Sequence, residues 1–388
     1  MTADLVILFG KPGHTPALYR YRLAPLMPAR TPMPGRKTSD KCDLFTYSFA
    51  SSGCIKYQST TAWLIIWGME NAQNKLRTTN FRVWPDNPAG FSTHRITPLH
   101  HNFHEHPLFQ VPELVKLGKE LAVLGQCRFM RPGLTAASTI AHDSRHPDGR
   151  SIDEHFERME EPGSSVALYN IEAVPRYEAL LWDVVNTVRA LVEREQPDIF
   201  RVNGFVFVSA PPSVTPFHID RENNFWLQLH GHKTINVWDH RDRSIVSAEA
   251  VEDFIVTHSL RKVRFKEEFR PLSQEFNARP GDGVYFPSTS PHMTHSEPDW
   301  TAPGDGVSIS IGVTFYTSFT LETARIHQVN RLLRKCGLSP AYPGGSLETD
   351  ALKASVGGLV GATRARFVGM TRAAHRFKQA TTPPPGSY

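Results

Sequence analysis

The chain has 388 residues, enough for one large domain with extensions or for two domains. Its longest apolar runs, Leu5 to Phe9 and Ala62 to Trp67, are too short to span a bilayer. Asp4, with no basic residue ahead of the first run, argues against a secretory leader. The net charge of +5 is uneven: residues 1–77 hold ten Lys/Arg against four Asp/Glu, residues 351–388 hold six Lys/Arg and no acid, and the middle is left at −7. An acidic centre between basic ends is not the charge layout of a nucleic-acid enzyme, so a nucleic-acid partner is not expected. Cys42, Cys54, Cys127 and Cys336 are scattered and form no C-x-x-C, which reads as reduced thiols in a cytoplasmic protein.

Residues 1–78 are interrupted by prolines at 12, 16, 25, 28, 32 and 34 and keep no helical or alternating period, so a poorly ordered basic extension is expected. Met69 is a second possible start of translation, and an ordinary N-terminal extension is the alternative. Val111 to Leu124 repeats apolar residues at helical spacing. Residues 133–150 read as loop and residues 151–160 as a second helix. Arg176 to Arg194 is a longer helix burying Leu180, Leu181, Val184, Val185, Val188 and Leu191. These elements make 79–199 a helical N-terminal part of the catalytic domain.

After Pro197 the period changes. Phe205 to Val208, Asn224 to Leu229, Thr234 to Trp238, Val284 to Phe286 and Val307 to Phe315 are strand-like, with a turn at Pro280 to Gly283. Many short strands between Gly/Pro/Asp turns predict a mainly β fold with flanking helices, built on an antiparallel jelly-roll core over 200–318. Residues 240–270 form a more polar, partly helical insertion. Residues 319–388 return to helix and end in a basic tail. Ile326, Val329, Leu333 and Cys336 share one face there, and Gly337 is placed to cap the helix.

The chemistry concentrates in one stretch, Thr215 to Lys233. His218 and Asp220 lie two residues apart on a predicted strand, so both side chains point the same way. The plain alternative is a turn-forming His and Asp after Pro216. A third metal ligand follows in either His292 or His295, three residues apart, which strand alternation puts on opposite faces. Two imidazoles and one carboxylate with open positions is the ligand pattern of non-haem Fe(II) oxygenases.

The ordered set Val214-Thr-Pro-Phe-His-Ile-Asp220, Asn224-Phe, Gln228, Gly231, Lys233, Pro280-Gly-Asp, Phe286-Pro, Pro291-His and Ser308-Ile-Ser-Ile311 resembles the jumonji-C and cupin-like family of Fe(II)- and 2-oxoglutarate-dependent oxygenases. It is most similar to the branch containing the asparaginyl hydroxylase of hypoxia-inducible factor and bacterial cupin-like proteins. The resemblance implies a double-stranded β-helix and a metal held by His218, Asp220 and His292, since the family's usual step from Pro287 reaches His292. It implies that Lys233 and Thr215 anchor the far carboxylate of 2-oxoglutarate and that Asn224 approaches the cosubstrate and metal. Tyr169 is a further candidate from an earlier strand.

The expected activity is hydroxylation of a peptide or protein side chain or a small molecule, with demethylation as a variant. A metal-holding cupin module without turnover is the alternative from another class. A non-oxidative cupin enzyme fits less well, because such sites use more histidines and a Glu. His100-His-Asn-Phe-His-Glu-His106 looks like a second metal site but lacks regular ligand spacing, and surface roles are the plainer reading. The C-terminal helices are a candidate homodimer interface.

Overall fold

The computed structural model describes residues 4–9, 17–22, 81–130, 133–140, 142–143, 145–146, 148–297 and 306–359. The chain divides into Met1–Lys75 and Leu76–Tyr388. In the first unit β1 (Asp4–Phe9) pairs antiparallel with β2 (Ala17–Arg22). The rest of the predicted poorly ordered extension, and Met69 with it, lies outside the described residues.

In the second unit the strands form two antiparallel sheets. The larger contains β3 (Val83–Trp84), β4 (Thr97–His101), β5 (Cys127–Met130), β6 (His142–Asp143), β7 (Ser165–Leu168), β8 (Phe200–Ser209), β10 (Asn223–His230), β13 (Asp282–Phe286) and β15 (Ser308–Tyr316). Its order is β3-β4-β13-β10-β15-β8-β7-β5-β6. The smaller, in order, is β12 (Gln274–Ala278), β11 (Lys233–Val237), β14 (His292–Ser296) and β9 (Ser213–His218). The sheets pack as the expected jelly roll, with β8 to β11 and then β12 to β15 alternating between them.

Strand alternation sorts the side chains into three layers. Trp226, Val284 and Phe286 of the large sheet meet Ile235 and Val237 of the small one in a cluster between the sheets. Phe225, Leu227, Ile311, Val313 and Phe315 point out of the large sheet and are covered by α1 (Val111–Val123) and α3 (Pro175–Val192). Phe217, Trp238 and Met293 point out of the small sheet and are covered by α4 (Ala248–Thr257). The segment predicted as a polar insertion is thus the roof of the small sheet.

The helical expectations fall within a few residues of the observed bounds. α1 ends one residue early, and α2 (Ile152–Glu157) is shorter than the 151–160 predicted. Ser151 starts α2 with a capping box to Glu154. Five of the six residues predicted on the inner face of α3 are buried; Leu191 is only half-buried, and Val192 takes the buried place at the last turn. α5 (Ser318–Lys335) buries Ile326 and Val329, but Cys336 is exposed rather than on that face. The cause is the helix end. Gly337 has φ +82°, its N–H donates to Arg334 O and Leu338 N–H donates to Leu333 O, a Schellman pattern that turns the chain away after Lys335.

One glycine is required by the barrel itself. Gly231, between β10 and β11, has φ +62°, and a Cβ there would lie 2.4 Å from Val307 O. The close approach of this hairpin to the start of β15 brings Lys233 to the inside of the sandwich.

Candidate metal centre

β9 is the edge strand of the small sheet, and Pro216 within it has no N–H to give to the ladder. The pairing with β14 accordingly slips: His292 faces His218, but Thr294 faces Thr215, so Pro216 and Phe217 together oppose Met293. Phe217 N–H donates instead to Ala136 O at 3.0 Å. The bulge re-aims the end of the strand. It turns Phe217 outward into the cluster under α4 and brings His218 beside His292, with ring centroids 4.0 Å apart.

Asp220 lies in the turn that follows. Its carboxylate oxygens are 4.0 Å from His218 Nε2 and 3.5 Å from His292 Nε2. One ligand atom from each of the three residues lies within 4.8 Å of the others, and among the described residues no other group of three His, Cys, Asp or Glu does so. His292 is buried, His218 is half-buried and the Asp220 side chain is 34% exposed, so the cluster is open on the carboxylate side.

Both imidazoles are oriented by the backbone. His218 Nδ1 is 2.7 Å from Pro216 O, and His292 Nδ1 is 3.0 Å from Ser290 O. A carbonyl only accepts, so each Nδ1 carries the proton and each Nε2 presents its lone pair toward Asp220. Burial, and next the His218 ring, pull His292 down to about 4, which keeps it neutral and ready to ligate. The donor set, two neutral Nε2 atoms and one carboxylate with an open side, fits a divalent iron.

The other predicted residues line the inside of the same sandwich. Lys233 begins β11 and shares its inward face with Ile235 and Val237. It is 3% exposed, its Nζ donates to Ser209 Oγ at 3.0 Å, and no carboxylate pairs with it among the described residues. Burial alone pulls its pKa down to about 8. Ser209 continues into a chain of hydroxyls through Ser213 and Ser296, at 3.0 and 2.6 Å. Thr215 lies opposite Thr294, which lies opposite Ile235, two residues from Lys233. A buried ammonium that donates to a hydroxyl and meets no carboxylate among the described residues is a receptor for a carboxylate.

Asn224 is 4% exposed, and its Oδ1 is buried without a hydrogen-bond partner. It faces Phe286 across the ladder, whose ring is 4.6 Å from that of His292. Tyr169 also reaches this space: burial, and next the Asp220 charge, raise its phenol to about 12, while Arg128 stacks over the ring at 4.8 Å. Phe205 and Phe207 flank Tyr169 and stay half-exposed, unlike their alternate neighbours Val206 and Val208, which are buried. The inner face is therefore accessible at this side.

His295 is on the outward face, paired opposite Thr234 and 3.9 Å from Glu297, away from the triad. His292→Ala is accordingly expected to lose iron, and His295→Ala to keep most of it, in parallel metal titrations. The reverse result would move the third ligand. The His100–His106 run does structural work: His100 pairs with Asp86 at 3.0 Å, His101 Nε2 donates to Gln228 O at 3.0 Å, and His106 Nδ1 accepts from Leu108 N–H at 3.2 Å.

Sequence reasoning passed over Glu222. It follows Asp220 in the same turn, accepts from Tyr316 OH and from Arg221 N–H at 2.9 Å, and is raised by burial and then by the Asp220 charge. The i+2 spacing from Asp220 was the available signal.

No curated protein matches the chain. Solved structures of the Escherichia coli ribosomal oxygenase YcfD are similar at low identity. One, in complex with cobalt and 2-oxoglutarate, aligns over 72% of this chain and 67% of its own, with 16% identity and TM-score 0.37. Another aligns over 62% and 57%, with 18% identity and TM-score 0.32. A third spans 58% of its own length and 62% of this chain, with 16% identity and TM-score 0.33. Residues 186–321, which run from within α3 through every strand that bears a predicted ligand, match the JmjC domain family. This segment of the chain is a JmjC domain, the family that the ordered motifs resemble.

Proposed function

We propose that this chain is an Fe(II)- and 2-oxoglutarate-dependent oxygenase that hydroxylates a peptide or protein side chain or a small molecule and releases succinate and CO2. The observation that carries the reading is the pairing of two features in one sandwich. His218, Asp220 and His292 converge with both imidazoles oriented by carbonyls, and a buried Lys233, with no carboxylate against it among the described residues, begins β11. Lys233 and Val237 are four residues apart, about 13 Å of strand, and Val237 pairs with His292. A metal module without turnover has no use for the second feature.

With iron and 2-oxoglutarate bound, O2 would be the oxidant: one of its oxygen atoms would enter the substrate C–H bond and the other succinate, as 2-oxoglutarate loses CO2 and supplies the two further electrons. The protein holds and orients. His218, Asp220 and His292 take the metal, Lys233 and Thr215 take the far carboxylate, and Asn224 offers its unpartnered amide oxygen to the same space. Trp226, Val284 and Phe286 wall the inner side against water. No side chain needs to act as general base. Hydroxylation of an N-methyl group releases formaldehyde, so demethylation uses the same arrangement.

Residues 200–318 then act as the catalytic barrel; residues 79–199, expected to be helical, supply α1–α3 and also the strands β3–β7 of the large sheet, and α5 follows the barrel. Residues 347–359 are helical and expose Leu352, Val356 and Leu359 at helical spacing, a stripe suited to a homodimer contact. No helix among the described residues is long and apolar enough to cross a membrane, and a cytoplasmic location is part of the proposal. The test is mass spectrometry of cell lysate incubated with the enzyme, Fe(II), ascorbate and 2-oxoglutarate. A product heavier by one oxygen atom, formed with succinate, is expected. Absence of both at full iron loading would remove the oxygenase reading.

A further inference from the structure

The loop between β13 and β14 carries a backbone conformation that its residue does not favour. Thr289 is β-branched, buried and at φ +63°. Such a conformation persists only where the surroundings fix it, and it tends to mark a functional constraint. On one side the loop holds the metal ligands. Thr289 N–H donates to Asp220 O at 2.8 Å, Ser288 Oγ donates to Arg221 O at 2.9 Å, and Ser290 O accepts from His292 Nδ1 at 3.0 Å. Two of the three ligand residues thus depend on three consecutive residues of this loop.

On its other side the loop is held by a buried polar network. Ser288 N–H donates to Asn223 Oδ1 at 3.0 Å, and Asn223 Nδ2 donates to Gln196 Oε1 at 2.8 Å. Gln196 Oε1 also accepts from Thr317 Oγ1 at 3.0 Å. A backbone N–H only donates, so the Asn223 amide is fixed with its oxygen toward Ser288 and its nitrogen toward Gln196. Asn223, Gln196 and Thr317 are each 1% exposed or less. Each sits on a regular element: Asn223 begins β10 opposite Phe315 of β15, Gln196 N–H donates to Val192 O at the end of α3, and Thr317 is the N-cap of α5. A buried network of this kind rigidifies what it touches, and here that is the loop.

We propose that Asn223 is a positioning residue for the metal centre: its amide oxygen holds Ser288 N–H, and with it the 288–290 loop in the conformation that presents Asp220 and His292. The inference rests on the assignment of the triad as the metal site. Strand alternation puts Asn223 on the opposite face of β10 from Asn224, so it acts on the metal through the loop and not by contact with the cosubstrate. Without the Asn223 oxygen the metal-free loop is released to find another partner for Ser288 N–H. Binding must then return it, and that cost appears in metal affinity.

The test is titration with Co(II), read by its d–d absorption, for wild type, Asn223→Ala and Asn330→Ala. Asn330→Ala removes a comparable buried hydrogen bond, to Ala341 O at 2.9 Å, on α5. Asn223→Ala should weaken Co(II) binding about five-fold, the worth of one hydrogen bond near 1 kcal/mol, and should shift the d–d bands. Asn330→Ala should leave Co(II) affinity and the bands at their wild-type values, whatever its thermal midpoint. A second measurement needs no variant. In metal-free wild type the Ser288 amide should exchange slowly with solvent deuterium, because Asn223 and not the metal holds it. Equal Co(II) affinity in wild type and Asn223→Ala, equal losses in both asparagine variants, or rapid exchange of the Ser288 amide in wild type would each overturn the proposal. Failure of wild type to bind Co(II) would overturn the triad assignment first.

Discussion

Asp220→Ala is expected to leave a folded protein that no longer holds iron. Asp220 supplies the anionic member of the triad, and its loss leaves two neutral imidazoles whose lone pairs meet no counter-charge from the protein. Removing even an outer-shell partner of a metal ligand costs about 10–100-fold in affinity, so the loss of the ligand itself should exceed about 100-fold. Folding should survive, because the Asp220 contact with Thr289 is made by the backbone carbonyl and the side chain is 34% exposed. The measurement is metal stoichiometry after dialysis, beside the thermal midpoint of the metal-free protein. Unchanged stoichiometry would show that the triad is not the metal site, whatever the family match.

Asp220→Asn separates charge from geometry. The amide keeps an oxygen ligand of nearly the same shape and loses the charge. Binding intermediate between wild type and Asp220→Ala is expected, with a loss closer to that of alanine, because the site offers no other protein anion except Glu222. That carboxyl already accepts from Tyr316 and Arg221.

The triad was legible in the sequence because a strand fixes side-chain direction: two residues apart means one face, three apart means opposite faces. That argument separated His292 from His295 on β14, but the strand expected to carry both His218 and Asp220 ends at His218, and Asp220 reaches the cluster from the turn that follows. Lys233 was singled out by its position in the resembling family, 15 residues after His218; the structure adds that it begins β11 and shares an inward face with Ile235 and Val237. The long helices were legible from periodicity, and the jelly roll from the density of short strands. Other features depended on events that leave no periodic trace. The bulge at Pro216–Phe217, which turns His218 toward His292, is set by which edge of the sheet β9 occupies. The Nδ1 bonds to Pro216 O and Ser290 O run to backbone atoms, so no side-chain pattern announces them. Thr289 is conspicuous only once its φ is known. The exposure of Cys336 follows from where the α5 cap falls, and helix ends are the least regular part of a helical pattern.

Lys233→Ala should raise the requirement for 2-oxoglutarate sharply and leave iron in place. The ammonium is buried, donates to Ser209 and has no protein carboxylate, so a bound dicarboxylate would be its one anionic partner among the described residues. A desolvated charge pair that loses one member costs about 2–5 kcal/mol, which at 1.4 kcal/mol per tenfold is about 30-fold or more in affinity. Lys233→Met, which keeps the apolar stem and volume, should lose as much as alanine; if methionine retained most of the affinity, packing rather than charge would be the lysine's role. Lys233→Arg should recover part of it, because the charge is kept while the larger fork crowds Ser209. The pH dependence gives an independent check on the same pair. Burial lowers Lys233 to about 8, and only the protonated form pairs with a carboxylate. Binding therefore takes up a proton above that value, so wild-type affinity should fall as pH rises through about 8 and should level off below it. The alanine and methionine variants should show no such fall. The readout is 2-oxoglutarate titration of the Fe(II) protein under anaerobic conditions, with succinate formation in air as the second measure. A wild-type 2-oxoglutarate dependence in the alanine variant would take Lys233 out of the site and leave the barrel with a metal centre and no anchor for the cosubstrate.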